Sequence, residues 1–373
     1  MNLVAIKSAI DALSAPTISF TILTVIFPFI FPPSDWFEKI HRKTGLWRMW
    51  TKPGGLIGMI LITAFFVIGY FDVYFNKTLT KADNFPIVLM IYSMWFLIWL
   101  GMYKAYRNDI RIEQGLKPEE YNDPDDKVLV WPDLVYIEFI ALILFQVFLI
   151  VWSILVAAPI EEPANPAATP NPSKAPWYFL GLQEMLVYYD PWIAGVLLPT
   201  FIIVGLMAIP YLDINKKGDG YYSFKERRVG MFIFMYGWVV LWLFLIIIGT
   251  FFRGPNWNFF GPFEYWDTHK VEALTNVNLS EILWVKWLNQ GLPSNILIRE
   301  SLGFILTGLY LFVLPVILAK TYLKDMLAAY GPTRFVTLMM LGLVMLALPI
   351  KMYLRWIFNL QYIIAIPEWF LNI

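Results

Sequence analysis

Eight apolar runs, each long enough or nearly so to cross the roughly 30 Å hydrocarbon core of a bilayer, limit what this chain can fold into. They lie at Ser14–Pro32, Leu56–Tyr70, Phe85–Tyr103, Leu134–Ala158, Trp192–Tyr211, Gly230–Phe252, Leu302–Tyr322 and Phe335–Tyr353. Of the 373 residues 59% are hydrophobic and 15% charged, whereas an average soluble domain carries about 25% charged residues. So few polar side chains cannot cover a water-facing surface. Most runs are apolar on every helical face and lack the alternation of a barrel strand. The expected fold is therefore all-α, a polytopic integral membrane protein of about eight transmembrane helices. The first run is the weakest, being short and interrupted by Pro28.

Basic residues orient these helices, because Lys and Arg accumulate in cytoplasmic loops. Connections 34–54, 104–132, 212–229 and 320–334 hold 5, 5, 5 and 3 of them, whereas 72–84, 159–191 and 253–300 hold 2, 1 and 4. Odd connections are thus expected in the cytoplasm, and both termini on the outer (periplasmic) side of a cell's inner membrane. Shifts in composition mark three blocks, 1–112, 113–252 and 253–373, with about three, three and two helices.

The scarcest residues exclude the most chemistry. Cysteine is absent and histidine occurs twice, as His41 and His269. Disulfides, Cys-held iron–sulfur clusters and thioether-attached haem are excluded from this chain. The histidines lie far apart in polar stretches, so they form no membrane pair to clamp a haem, and no metal site is expected. His41, in a basic loop, is expected at lipid headgroups, and His269 in a solvated loop. The formal net charge of +0 leaves no basic footprint for nucleic acid. Gly-rich phosphate loops and Ser/His/Asp sets are missing, which removes kinase, NAD-binding and hydrolase readings.

The fourth connection, Ala158 to Pro191, holds one Lys and seven prolines. Its Pro/Ala/Asn-rich run predicts a stiff, extended arm, and a short helix then opens near Pro176. At helical spacing Trp177, Gly181, Glu184 and Tyr188 share one face, the pattern of a helix lying in the membrane interface. Trp and Tyr also serve as plain interfacial anchors, so this pattern alone does not separate an anchor from a site.

The arm Pro163-Ala164-Asn165-Pro166-Ala167-Ala168-Thr169-Pro170, followed by Pro176-Trp177-Tyr178-Phe179, resembles the C-terminal half of cytochrome b in quinol–cytochrome c reductases. In cytochrome bf complexes that half is a separate chain, subunit IV. Trp131-Pro132-Asp133-Leu134-Val135-Tyr136 is similar to the start of that subunit's first membrane helix. The resemblance covers roughly 125–252 and leaves the flanking helices unexplained.

The resemblance implies an outward quinol-oxidation site whose Pro-Glu-Trp-Tyr motif supplies a proton-accepting carboxylate. Here the motif reads Ala175-Pro176-Trp177-Tyr178, and proline accepts no proton. Glu184 is the expected substitute, since burial against aromatics suits a carboxylate to proton uptake near neutral pH. A surface cap or ion pair is the alternative for Glu184. Pro176, Trp177 and Tyr178 are the expected quinone-contacting residues. Asp133 falls where the resemblance implies the inner quinone-reduction site, although an interfacial helix cap is the commoner role. Glu138, further into the same helix, suggests a partner subunit or a proton path. Pro367-Glu368-Trp369-Phe370 nearly spells the missing motif but lacks the arm and the helix, and reads as coincidence.

The expected function is that of a haem-free, quinone-site subunit of a membrane cytochrome bc-type complex. Haem b and an iron–sulfur cluster would then reside in partners: a haem-binding cytochrome b N-terminal-type subunit, a Rieske protein and a c-type cytochrome. The alternatives are a transporter or ion channel subunit, and a structural anchor whose quinol site is inactive.

Overall fold

A computed structural model of the chain describes residues 3–81, 84–122, 128–156, 163, 165–167, 169–271 and 275–367. In chain order the main helices are α1 (Leu3–Ser14), α2 (Pro16–Ile30), α3 (Asp35–Lys43), α4 (Lys52–Tyr70), α5 (Val73–Leu79), α6 (Phe85–Glu113) and α7 (Val135–Leu155). There follow α8 (Trp177–Met185), α9 (Ile193–Leu212), α10 (Arg228–Phe252), α11 (Ser301–Lys320) and α12 (Lys324–Phe358). No strand occurs among the described residues, which hold only the isolated bridges Arg253 to Phe259 and Val277 to Leu360. The protein is an all-α polytopic membrane protein, as expected.

Seven of the described helices are long and apolar enough to cross a membrane, or eight if one bent pair counts as a span. That pair is α1 and α2, which meet at 75°. Pro16 at the first position of α2 lacks an amide N–H, so the helix restarts there rather than continuing. The first apolar run is thus half of a broken element. A second break lies inside α12, where Gly331 takes φ 74° and ψ 168° immediately before Pro332.

The chain divides into two compact units. One comprises Ser34–Pro170 and Lys217–Arg228. In it α4 and α6 pack tightly because Gly55 and Gly58 present bare backbone to two tryptophans. A Cβ at Gly58 would lie 2.0 Å from the Trp95 ring, and one at Gly55 2.3 Å from Trp99. The indoles donate to main-chain carbonyls, Trp95 to Gly55 at 3.1 Å and Trp99 to Thr51 at 2.8 Å. Small residues thus serve close helix approach, as they do elsewhere in membranes.

A charged layer joins three connections of the same unit. Glu113 pairs with Arg42 at 2.6 Å and Lys225 at 3.0 Å, and Arg228 reaches Asp35 and Glu38 at 2.5 Å each. Buried Asp109 accepts from the Ser223 hydroxyl at 2.6 Å and from the amides of Phe224 and Lys225 at 3.2 and 3.0 Å. The first, third and fifth connections therefore meet one another, as loops on one side of a membrane must. The hydrogen bond from Arg228 holds the Asp35 carboxyl below the usual aspartate range. That bridge contributes above pH about 3.9, the ordinary aspartate value, and is lost as pH falls through the depressed one. His41 departs from expectation. It is 5% exposed inside α3, because the strongly amphipathic helix turns that position inward while Arg42 and Lys43 stay accessible.

The other unit comprises Met1–Pro33, Asn171–Lys216 and Val229–Ile373. Phe20 of α2 is fully buried against Phe244, Tyr353 and Trp356, with ring centroids 5.2, 5.8 and 5.7 Å away. Asp11 of α1 accepts from the Phe263 amide at 2.8 Å. The tail beyond α12 binds the sixth connection through Val277 N–H to the Asn359 carbonyl at 3.0 Å and Gln361 N–H to the Val277 carbonyl at 3.0 Å. The N-terminal helix and the C-terminal tail are thus each fastened to the sixth connection.

Asp109→Ala would leave one hydroxyl and two amides of the 223–225 turn without their acceptor, at about 1–3 kcal/mol for a buried unmet group. Limited trypsinolysis of the detergent-solubilised protein should then cut faster at Lys225 and Arg227, while α4–α6 fragments stay intact.

Candidate functional site

Pro176 precedes α8 and its carbonyl accepts from the Phe179 amide at 2.8 Å, closing the first turn of this nine-residue helix. Two glycines set the helix down on α10. A Cβ at Gly181 would come 3.1 Å from Ile246, and one at Gly249 3.1 Å from the Leu180 carbonyl. Gly181, Glu184 and Tyr188 are buried and Trp177 half-buried, so the face read from helical spacing is the packed one. Tyr178 and Phe179 are about half exposed, at 51% and 50%.

The end of the arm, from Asn171 onward, is fastened from several directions. Gln183 accepts from the Ala175 amide and donates to the Ser173 carbonyl, both at 2.8 Å. Lys174 donates to the Thr250 carbonyl at 2.7 Å, in the last turn of α10, where the helix dipole favours a cation. The same ammonium lies 5.1 Å from the Trp266 ring. Asn171 and Asn256 bind reciprocally, side chain to side chain at 2.9 Å and Asn256 amide to the Asn171 side-chain oxygen at 2.7 Å.

Glu184 has no exposed surface. Arg253, the residue after α10, grips it as a fork: Nε to Oε2 at 2.9 Å and Nη2 to Oε1 at 2.6 Å. The Trp257 indole adds a third donor at 3.2 Å to Oε2, and the Trp257 carbonyl accepts from Arg253 Nη1 at 2.9 Å. Both Asn256 and Trp257 sit at positive φ, 58° and 57°, a conformation that costs energy outside glycine. The turn folds there because it delivers the indole and the carbonyl to the ion pair while Asn256 holds the arm. Beside them Tyr188 is buried, and desolvation together with the Glu184 charge pushes its phenol well above the ordinary value, Arg253 opposing. It stays a neutral phenol.

The expected residues thus separate. Pro176, Trp177, Tyr178 and Glu184 come together on α8 and its approach. Asp133 belongs to the other unit, exposed in the Val130–Leu134 turn before α7, and makes no cap bond. Glu138 is exposed on α7, and His269 is exposed in its loop. Of the near-motif at the C-terminus, Pro367 is exposed and 368–370 lie outside the described residues. Sequence reasoning passed over Arg253, Trp257, Gln183 and Lys174. A signal for Arg253 existed: a carboxylate placed on an apolar face needs a cation, and Arg253 is the first charge after a long apolar run.

Breaking a buried pair from one side costs about 3–5 kcal/mol, because it strands a charge. Glu184→Ala should therefore destabilise the detergent-solubilised protein markedly, and Arg253→Met combined with it should recover part of the loss. A double-mutant cycle on thermal unfolding reads the coupling. Additive losses would show that the two side chains do not act as a pair.

Two comparisons bear on this site. No solved structure matches the chain. Residues 163–263 match the family model described as Cytochrome b(C-terminal)/b6/petD. The matched segment runs from the first proline of the arm through α8, α9 and α10 to the turn that holds Arg253 and Trp257. Pro176, Trp177, Tyr178, Glu184, Arg253 and Trp257 thus all lie within the segment that matches the cytochrome b(C-terminal)/b6/petD family.

Proposed function

We propose that this chain is a haem-free, quinone-site subunit of a membrane cytochrome bc-type complex. The observation that carries the reading is the end of the arm and α8, fixed as one body inside the family-matched segment, with an aromatic edge left uncovered. Trp177, Tyr178 and Phe179 place successive rings there, 5.7 and 4.8 Å apart. Flat rings of this kind suit the flat, largely apolar head of a quinol. Pro176 keeps the approach rigid. When bound, quinol supplies the reducing electrons; the chain's own residues position it, exclude water and take its proton.

The redox centres of such a complex lie in its partners. His41 and His269 are the two histidines and lie in polar connections rather than on membrane helices, so in this reading haem b belongs to a cytochrome b N-terminal-type subunit. A Rieske iron–sulfur protein and a c-type cytochrome complete the electron path. The arm faces the outer side of the inner membrane, with both termini, and proton release occurs there. Asp133, at the start of α7, contributes to the inner quinone site. The helices before 113 and after 252 cover lipid-facing surface or recruit further subunits.

Glu184 is the proton acceptor in this reading, and Arg253 must release one of its oxygens for that step. The completeness of the Glu184–Arg253–Trp257 grip favours a second reading, in which the pair is a lock and the chain an anchor with an inactive quinol site. Glu184→Gln separates them, since the amide oxygen still accepts from Arg253 but takes up no proton. In the purified complex, quinol oxidation should fall by about 100-fold or more if a general base is removed. Undiminished turnover would assign Glu184 to the lock. A dithionite-reduced spectrum without haem b in the purified assembly would end the bc-type reading itself.

A further inference from the structure

α7 differs from the other membrane helices. Every described residue from 128 to 156 is exposed, and its most apolar stretch has no buried position. Each other single helix long enough to span buries part of its length. Yet α7 is not uniformly apolar. Glu138, Gln146 and Ser153 fall within an arc of about 80°, at about 100° per residue, with Leu142 and Leu149 between them. Ser153 satisfies itself, donating to the Ile150 carbonyl at 2.8 Å. Glu138 and Gln146 make no side-chain hydrogen bond or ion pair among the described residues.

Gln146 lies about 16 Å along the helix from Val135, at about 1.5 Å per residue. That is close to the middle of a hydrocarbon core about 30 Å thick. A primary amide at that depth has no water to bind, and lipid tails offer it nothing. Polar side chains on membrane helices turn toward other helices, where hydrogen bonds replace the lost hydration. The opposite face, through Ile140, Leu144, Val147 and Val151, holds only aliphatic side chains and suits lipid.

We infer that the Glu138–Leu142–Gln146–Leu149–Ser153 stripe of α7 is the docking face for a transmembrane helix of a partner subunit. The occupant carries a basic side chain at the depth of Glu138 and a hydrogen-bonding side chain at mid-membrane for Gln146. Charge selects it against a second copy of this chain, because a two-fold contact on this stripe would set Glu138 against Glu138 in a medium of low dielectric. The inference rests on the reading of the chain as one subunit of a membrane complex, and does not depend on quinone chemistry.

The absence of native cysteine makes the test direct. Single cysteines at Leu142 and Leu149 on the stripe, and at Leu144 and Val151 opposite, are spin-labelled in the complex purified from native membranes and reconstituted in phosphatidylcholine vesicles. Collision with oxygen, which concentrates in lipid, reads lipid contact. Labels at 144 and 151 should show several-fold greater oxygen accessibility than those at 142 and 149, and the difference should vanish when the chain is isolated from its partners. Equal accessibility at all four positions in the intact complex would overturn the inference. So would shielding at 142 and 149 that persists in the isolated chain, or a disulfide linking two copies through either stripe cysteine. Gln146→Leu, which keeps the helix apolar, should weaken retention of the partner during purification, whereas Leu144→Ala should not. Loss of haem b from the assembly bears on the proposed function, while label accessibility bears on the stripe alone.

Discussion

A carboxylate with no access to water must be neutralised where it stands, and Arg253 does this for Glu184. Much of the architecture around α8 depends on that single requirement. The guanidinium has to arrive in the plane of the carboxylate, so α10 must end at Phe252, and the chain must turn sharply after Arg253. That turn needs two residues at positive φ, and those two supply the indole that completes the carboxylate's donors and the amide that holds the arm. α8 is thus held at its far end by charge and along its length by Gly181 and Gly249, which let it rest on α10 at backbone distance.

Close approach through glycine recurs in the other unit, where Gly55 and Gly58 receive two tryptophan rings. Without water to drive helices together, membrane proteins depend on surface fit and on hydrogen bonds that find no competitor. The indoles that donate to Thr51 and Gly55 meet both demands at once. The charged layer formed by Glu113, Asp109 and Arg228 works differently, at the level where the helices leave the apolar region, and it fixes loops rather than spans.

The sequence made the spans and their number legible because twenty apolar residues in a row admit few other structures. It also showed the buried face of α8, since the 3.6-residue period of Trp177, Gly181, Glu184 and Tyr188 survives without any knowledge of neighbours. Hidden from it was everything that depends on a distant partner. Glu184 was visible as a carboxylate on a packed face, but the guanidinium that meets it lies 69 residues on. His41 shows the same blindness in the opposite sense: its basic surroundings suggested lipid headgroups, whereas α3 turns it inward. The bend at Pro16 was masked because the apolar run beyond it continued without interruption.

The turn at Asn256 and Trp257 has a consequence for how such a chain can change over generations. Two separate attachments, one to the arm and one to Glu184, pass through adjacent residues whose backbone tolerates few side chains. Lengthening the loop by one residue would misplace both at once, so the arm, the helix and the turn can be altered without damage only together.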